Sequence, residues 1–167
     1  MTSGRATALL MAMMLTPAVQ AQQAPASAEA ASAGVEQVSG AIDQAAASAA
    51  LATLDAFMVA FNDRDLDAWE ATFSFPHFRL ADGTLTVLPA AGARTSALFD
   101  ALAATGWHHS AWLSREVVQA GPDKAHVVVE FARYRADESE LARYRSLYVM
   151  TREQGRWGIR GRSSFAP

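Results

Sequence analysis

All fifteen aromatic residues of this 167-residue chain lie at or beyond Phe57, so the first 56 positions lack the large rings that usually anchor a core. That asymmetry places the fold in the C-terminal two thirds. The chain is 51% hydrophobic and 19% charged, too apolar for a disordered tail, and of a length that suits one domain.

The N-terminus reads as a targeting segment. Arg5 gives a positive start, Ala6 to Leu15 is largely apolar, and Val19-Gln20-Ala21 suits cleavage before Gln22. The apolar run is too short for a bilayer span, and nothing later in the sequence reads as one. An exported protein is expected, periplasmic or secreted, with no membrane association after leader removal. No cysteine follows the leader to carry a lipid anchor. Residues 1–21 are thus read as signal peptide, 22–48 as an Ala-rich linker and 49–167 as the domain, although part of Glu36 to Ala50 could extend the first helix. The net charge of −3 becomes −4 once Arg5 is gone, and Lys124 is the single lysine, which excludes the basic surface that nucleic-acid binding needs. With no cysteine there is no disulfide, thiolate nucleophile or Cys-ligated zinc.

From Ala49 the pattern becomes periodic. Leu51, Leu54, Met58 and Phe61 share one helical face, and a second helix follows Asp65 as N-cap, with Leu66, Trp69 and Phe73 facing inward. Two short strands, FRL and TLTVL, meet at Asp82-Gly83, a tight-turn dipeptide. A third helix runs from Ser96 to Gly106. Four long strands follow, Ser110 to Ala120, Ala125 to Ala136, Leu141 to Arg152 and Trp157 to Phe165, whose short links imply an antiparallel meander. In the second of these, Val127, Val129 and Phe131 share the expected core face, with Val128 and Glu130 opposite. Helices followed by such a sheet make an α+β domain.

The order helix, helix, hairpin, helix, four long strands resembles the nuclear transport factor 2-like superfamily. FMVAFNDRDLDAW looks like its first two helices and GRWGI like its last strand. The resemblance covers about Ala49 to Phe165 and implies a cone: three N-terminal helices packed on a strongly bent antiparallel sheet, SnoaL-like, with one pocket between them and often a homodimer through the outer sheet face. FPHFRL, GWHHS, GPDK and RSSFAP suggest a bacterial branch whose chemistry the resemblance does not supply.

Isomerases of the superfamily pair a carboxylate base with an oxyanion donor. No carboxylate falls on the expected core face here, unless the faces are reversed and Glu130 and Tyr134 point into the pocket. Asp55 and Asp63 read as solvated helix positions. The superfamily's dehydratases use His, Tyr and Asp. Candidates for the first two roles are His77, His108, His109, Tyr134, Tyr144 and Tyr148, of which His77 or His108 as base and Tyr148 as donor are the catalytic candidates. The preferred reading of His77, however, is a structural histidine capping strand backbone. His108 and His109 are adjacent and point opposite ways on a strand, so a metal pair is not expected, and no HxH or HExxH spacing occurs.

Arg133 and Arg135 continue the face of Val127, Val129 and Phe131, and would suit an acidic ligand unless the strand end frays into water. Trp69, Trp112 and Tyr144 complete the ligand-binding candidates, although for each Trp, with Trp107 and Trp157, core packing is the default reading. Arg160 and Arg162 alternate away from Trp157 and Ile159, which assigns them to the outer face. Neither metal nor cofactor is expected. Three functions stay open: a pocket for a small, partly apolar molecule; an isomerase, cyclase or dehydratase with a His base and Tyr donor; and a dimeric protein-interaction module.

Overall fold

The computed structural model describes residues 41–167; the signal peptide and residues 22–40 of the expected linker lie outside the described residues. Helix α1 spans Gln44–Asn62, and the side chain of its N-cap Asp43 accepts the Ala46 amide at 3.0 Å. The helix thus begins before the expected domain boundary at Ala49. Ala46, Ala47 and Ala50 are buried, because side chains this small let the helix backbone lie close against the sheet. The short helix α2, Leu66–Ala71, follows Asp65, whose side chain accepts the Ala68 amide at 2.9 Å.

Strands β1, Phe73–Ala81, and β2, Thr84–Leu88, form the expected hairpin. Asp82 and Gly83 both have positive φ, 46° and 77°, as a two-residue turn matching strand twist requires. Helix α3 spans Ala97–Ala104 after Ser96, whose side chain makes no capping bond. Strands β3, His109–Gly121, β4, Lys124–Tyr134, β5, Glu140–Glu153, and β6, Arg156–Ser164, complete the chain.

The six strands form one sheet in the order β2-β1-β6-β5-β4-β3. The meander from β3 to β6 is antiparallel, but β1 runs parallel to β6, with Phe73 beside Ile159 and Phe78 beside Gly161. The sheet is therefore mixed rather than wholly antiparallel. Short links dictate direction only between consecutive strands, and β1 meets a partner some eighty residues away.

Val127 and Val129 are buried while Val128 is exposed, and Glu130 faces outward to Arg143 and Arg145 at 3.1 and 3.5 Å. This settles the face of β4: the reversed arrangement with Glu130 in the pocket does not occur. By length and composition α1 could cross a membrane, contrary to the expectation that no later segment reads as a span. Here its Ala50, Leu54 and Phe57 are buried in the core with Val127, Tyr148 and Ile159. Apolar character in this helix is explained by its burial against a sheet.

Candidate functional site

Between the helices and the concave face of the sheet lies a cavity of about 460 Å³. Its wall is aromatic. Helix α1 contributes Phe57 and Phe61, α2 Trp69, β3 Trp112, β4 Phe131 and β5 Tyr148. Phe57 is central, with ring centroids 5.6 Å from Trp69, 6.1 Å from Trp112 and 5.9 Å from Tyr148. Rings locked against one another in this way keep their positions without a ligand. The Trp112 indole N–H donates to the Leu54 carbonyl at 3.3 Å, tying β3 to α1.

Four arginines enter the same cavity: Arg79 from β1, Arg94 from the loop before α3, Arg133 from β4 and Arg162 from β6. Arg79 and Arg162 are register neighbours on adjacent strands, and Arg162 is in turn opposite Tyr148. The Arg94 guanidinium lies 5.0 Å from the Trp69 ring centre, that of Arg133 5.1 Å from Tyr144, and that of Arg162 5.8 Å from Phe57. Burial lowers the affinity of Arg79, Arg94 and Arg133 for their protons, and Arg162 adds repulsion to each. For Arg94 the result is a pKa of about 10, with Arg79 adding to the repulsion and Glu70 opposing it. Glu70 is itself buried and accepts the Gly92 amide at 2.5 Å, which fastens the loop carrying Arg94.

Of the residues expected from sequence, Trp69, Trp112, Arg133 and Tyr148 line this cavity. Tyr144 stands behind it, packed on Phe131 at 5.5 Å and supporting Arg133. Arg135 does not enter. Strand β4 ends at Tyr134, and the Arg135 guanidinium turns back to Ser139 and the Glu140 carbonyl at 3.3 and 3.2 Å.

His77 is fully buried outside the cavity lining. Its Nδ1 lies 2.8 Å from the Ile159 carbonyl, so Nδ1 carries the proton, and its ring stacks on Phe73 at 4.2 Å. Burial, against that hydrogen bond, lowers its pKa to about 4. It is a neutral structural histidine holding β1 to β6, not a base facing a ligand. His108 is exposed beside His109, which faces Glu138 at 3.7 Å, and neither lines the cavity.

Sequence reasoning missed Arg79, Arg94 and Arg162. Simple alternation sends Arg162 outward, but the β5–β6 ladder runs from Met150–Ile159 to Val149–Gly161 and leaves Arg160 unopposed. That bulge reverses the parity of every later residue, so Arg162 and Ser164 turn inward. Arg160 stays outside the cavity lining, bonded to Glu153 and to the Pro76 carbonyl at 3.1 Å.

Chemically the arrangement can hold an anion against an aromatic surface, and the Tyr148 hydroxyl, which accepts from Arg162 at 3.5 Å, keeps its own O–H to donate. Among the described residues, no carboxylate or imidazole side chain lines the cavity, and no cluster of His, Asp or Glu is placed to hold a metal ion.

Residues 47–164 match the model of a family described as NTF2-like protein (DUF6841). Among solved structures, an NTF2-like protein of unknown function from Shewanella oneidensis is 15% identical, covering 71% of this chain and 98% of its own, with a TM-score of 0.57. A ketosteroid isomerase-like protein from Erwinia carotovora atroseptica is 21% identical, covering 71% and 93%, with a TM-score of 0.55. A protein of unknown function with a cystatin-like fold from Nostoc punctiforme is 12% identical, covering 74% and 92%, with a TM-score of 0.61. At these identities the likeness is one of fold. The comparison with curated proteins returns no match.

Proposed function

The chain belongs to the NTF2-like family DUF6841, and on that premise we propose that it is an exported binding domain whose cavity holds a small, partly apolar molecule. The observation that carries this reading is the wall of mutually packed rings, Phe57, Trp69, Trp112 and Tyr148, around a space of about 460 Å³. Pockets of that size, mostly apolar with a few polar groups, suit small organic molecules.

Proton-transfer enzymes need a base within reach of the substrate. Tyr148 supports a donor role, but His77 and His108 are both away from the cavity, so the isomerase, cyclase or dehydratase reading ranks second. A filled-pocket interaction module ranks below both, because the cavity is open.

Native mass spectrometry of the protein purified from the exported fraction of its host tests the reading. The expected spectrum shows a chain beginning at Gln22 with a small-molecule adduct lost on collisional activation. A retained leader contradicts export; a bare chain that no small aromatic molecule stabilises contradicts the binding role. We also propose a homodimer through the outer sheet face, where Val128 and Leu147 are exposed register partners.

A further inference from the structure

Burying a guanidinium is costly unless a counter-charge or hydrogen-bond acceptors replace its water. Four of them share this cavity, and among the described residues none has a carboxylate within salt-bridge distance. The Nε groups of Arg94, Arg133 and Arg162 are buried without a hydrogen-bond partner. Other arginines of the same chain are provided for: Arg115 meets Asp55, Arg143 meets Glu130 and Glu140, and Arg160 meets Glu153.

The surroundings of the cluster add to this. The guanidinium groups of Arg94, Arg133 and Arg162 lie 5.0, 5.1 and 5.8 Å from the ring centres of Trp69, Tyr144 and Phe57, contacts that steady the forks, and Arg162 also donates to the Tyr148 hydroxyl at 3.5 Å. Arg79 spends one donor on the Ala166 carbonyl at 2.6 Å, which fixes its position beside Arg162. Four guanidinium groups gathered in one cavity with no carboxylate partner describe half of an ion pair.

We infer that the ligand is an organic dianion: an apolar, ring-sized body that packs on the half-buried rings of Phe61, Trp112 and Phe131, carrying a phosphate or a pair of carboxylates that the forks of Arg79, Arg94, Arg133 and Arg162 grip together. The inference rests on the cavity being a small-molecule site and names the class of its ligand. A monoanion offsets less of the positive charge in the cavity than a dianion does, and a neutral ring offsets none of it.

Isothermal titration calorimetry with 1-naphthyl phosphate, 1-naphthoate and 1-naphthol tests it. The phosphate is expected to bind about tenfold or more tightly than the naphthoate, the naphthol more weakly still, and the phosphate's advantage to shrink with added salt. Arg162→Met and Arg133→Met each should weaken naphthyl phosphate by about tenfold while changing naphthol by less than about twofold. Because each removes a half-buried charge that has no carboxylate partner, both should also raise the Tm of the unliganded protein. Arg152→Met, at an exposed position outside this cavity, serves as control and should alter neither quantity. If Arg162→Met fails to fold, Arg133→Gln makes the same comparison from a different strand. Naphthol binding as tightly as the phosphate overturns the charge requirement but leaves the apolar pocket standing; binding of none of the three overturns both. Equal phosphate affinity in Arg133→Met and the unaltered protein likewise overturns the proposal.

Discussion

His77 shows how a single buried residue links structure to pH. Its neutral ring donates from Nδ1 to the Ile159 carbonyl, and its pKa falls from 6.5 to about 4. Between those values the unfolded chain holds a proton at this site that the folded protein does not, so stability rises with pH across the window and is lost as the pH drops from 6.5 toward 4. The shift corresponds to a loss on the order of 3 kcal/mol by pH 4. Urea unfolding at pH 7, 5.5 and 4.5 should show that acid-side loss, and His77→Asn, which keeps a donor but cannot titrate, should show a shallower slope. Equal slopes in the two proteins would mean that His77 does not stay neutral in the fold. From sequence, both a structural and a catalytic role were open for this histidine. Burial decided between them, because an imidazole sealed under Phe73 and Ile159 can reach no ligand.

Among the elements, the start of α1 and the pairing of β1 with β6 carry the sharpest consequences. The alanines at 46, 47 and 50 are buried, which makes an apparently featureless stretch part of the domain. Asp43→Ala, which removes the N-cap acceptor, is expected to cost about 1 kcal/mol in denaturant unfolding. No change in midpoint would place the true helix start elsewhere. At Gly161 a Cβ would overlap the ring of Phe78, its register partner on β1, so glycine there allows the ring to cover the strand. Gly161→Ala should destabilise by about 1–3 kcal/mol, and pairing it with Phe78→Ala should recover part of the added strain. Strictly additive losses would show that the two do not meet. The hairpin, the third helix and the meander were legible because turn dipeptides and alternation act locally. The parallel neighbour of β1 was not, since no local signal names a partner so far along the chain.

For the molecule as a whole, the two faces of the sheet divide the work. The concave face holds the cavity, and the outer face carries Val128 and Leu147 among the ion pairs of Glu130 with Arg143 and Arg145. If the outer face joins two copies, Leu147→Glu sets a charge at the centre of that contact, and sedimentation should shift from dimer to monomer with cavity binding retained. A monomer before any substitution would remove the dimer from the account. Ligand occupancy should in turn stabilise the fold by mass action, about 2.7 kcal/mol at a hundredfold excess over Kd, read as a concentration-dependent rise in Tm. By itself the sequence determined the α+β class, the element order and the place of Trp69, Trp112 and Arg133 among the candidates, because each follows from side-chain period and short-range turn chemistry, while Tyr148 entered through the family resemblance. Only the tertiary structure decided that Arg79, Arg94 and Arg162 join Arg133 in one cavity. A one-residue bulge at Arg160 reverses the facing of everything after it, and a loop pinned by Glu70 brings in an arginine that no periodicity could place.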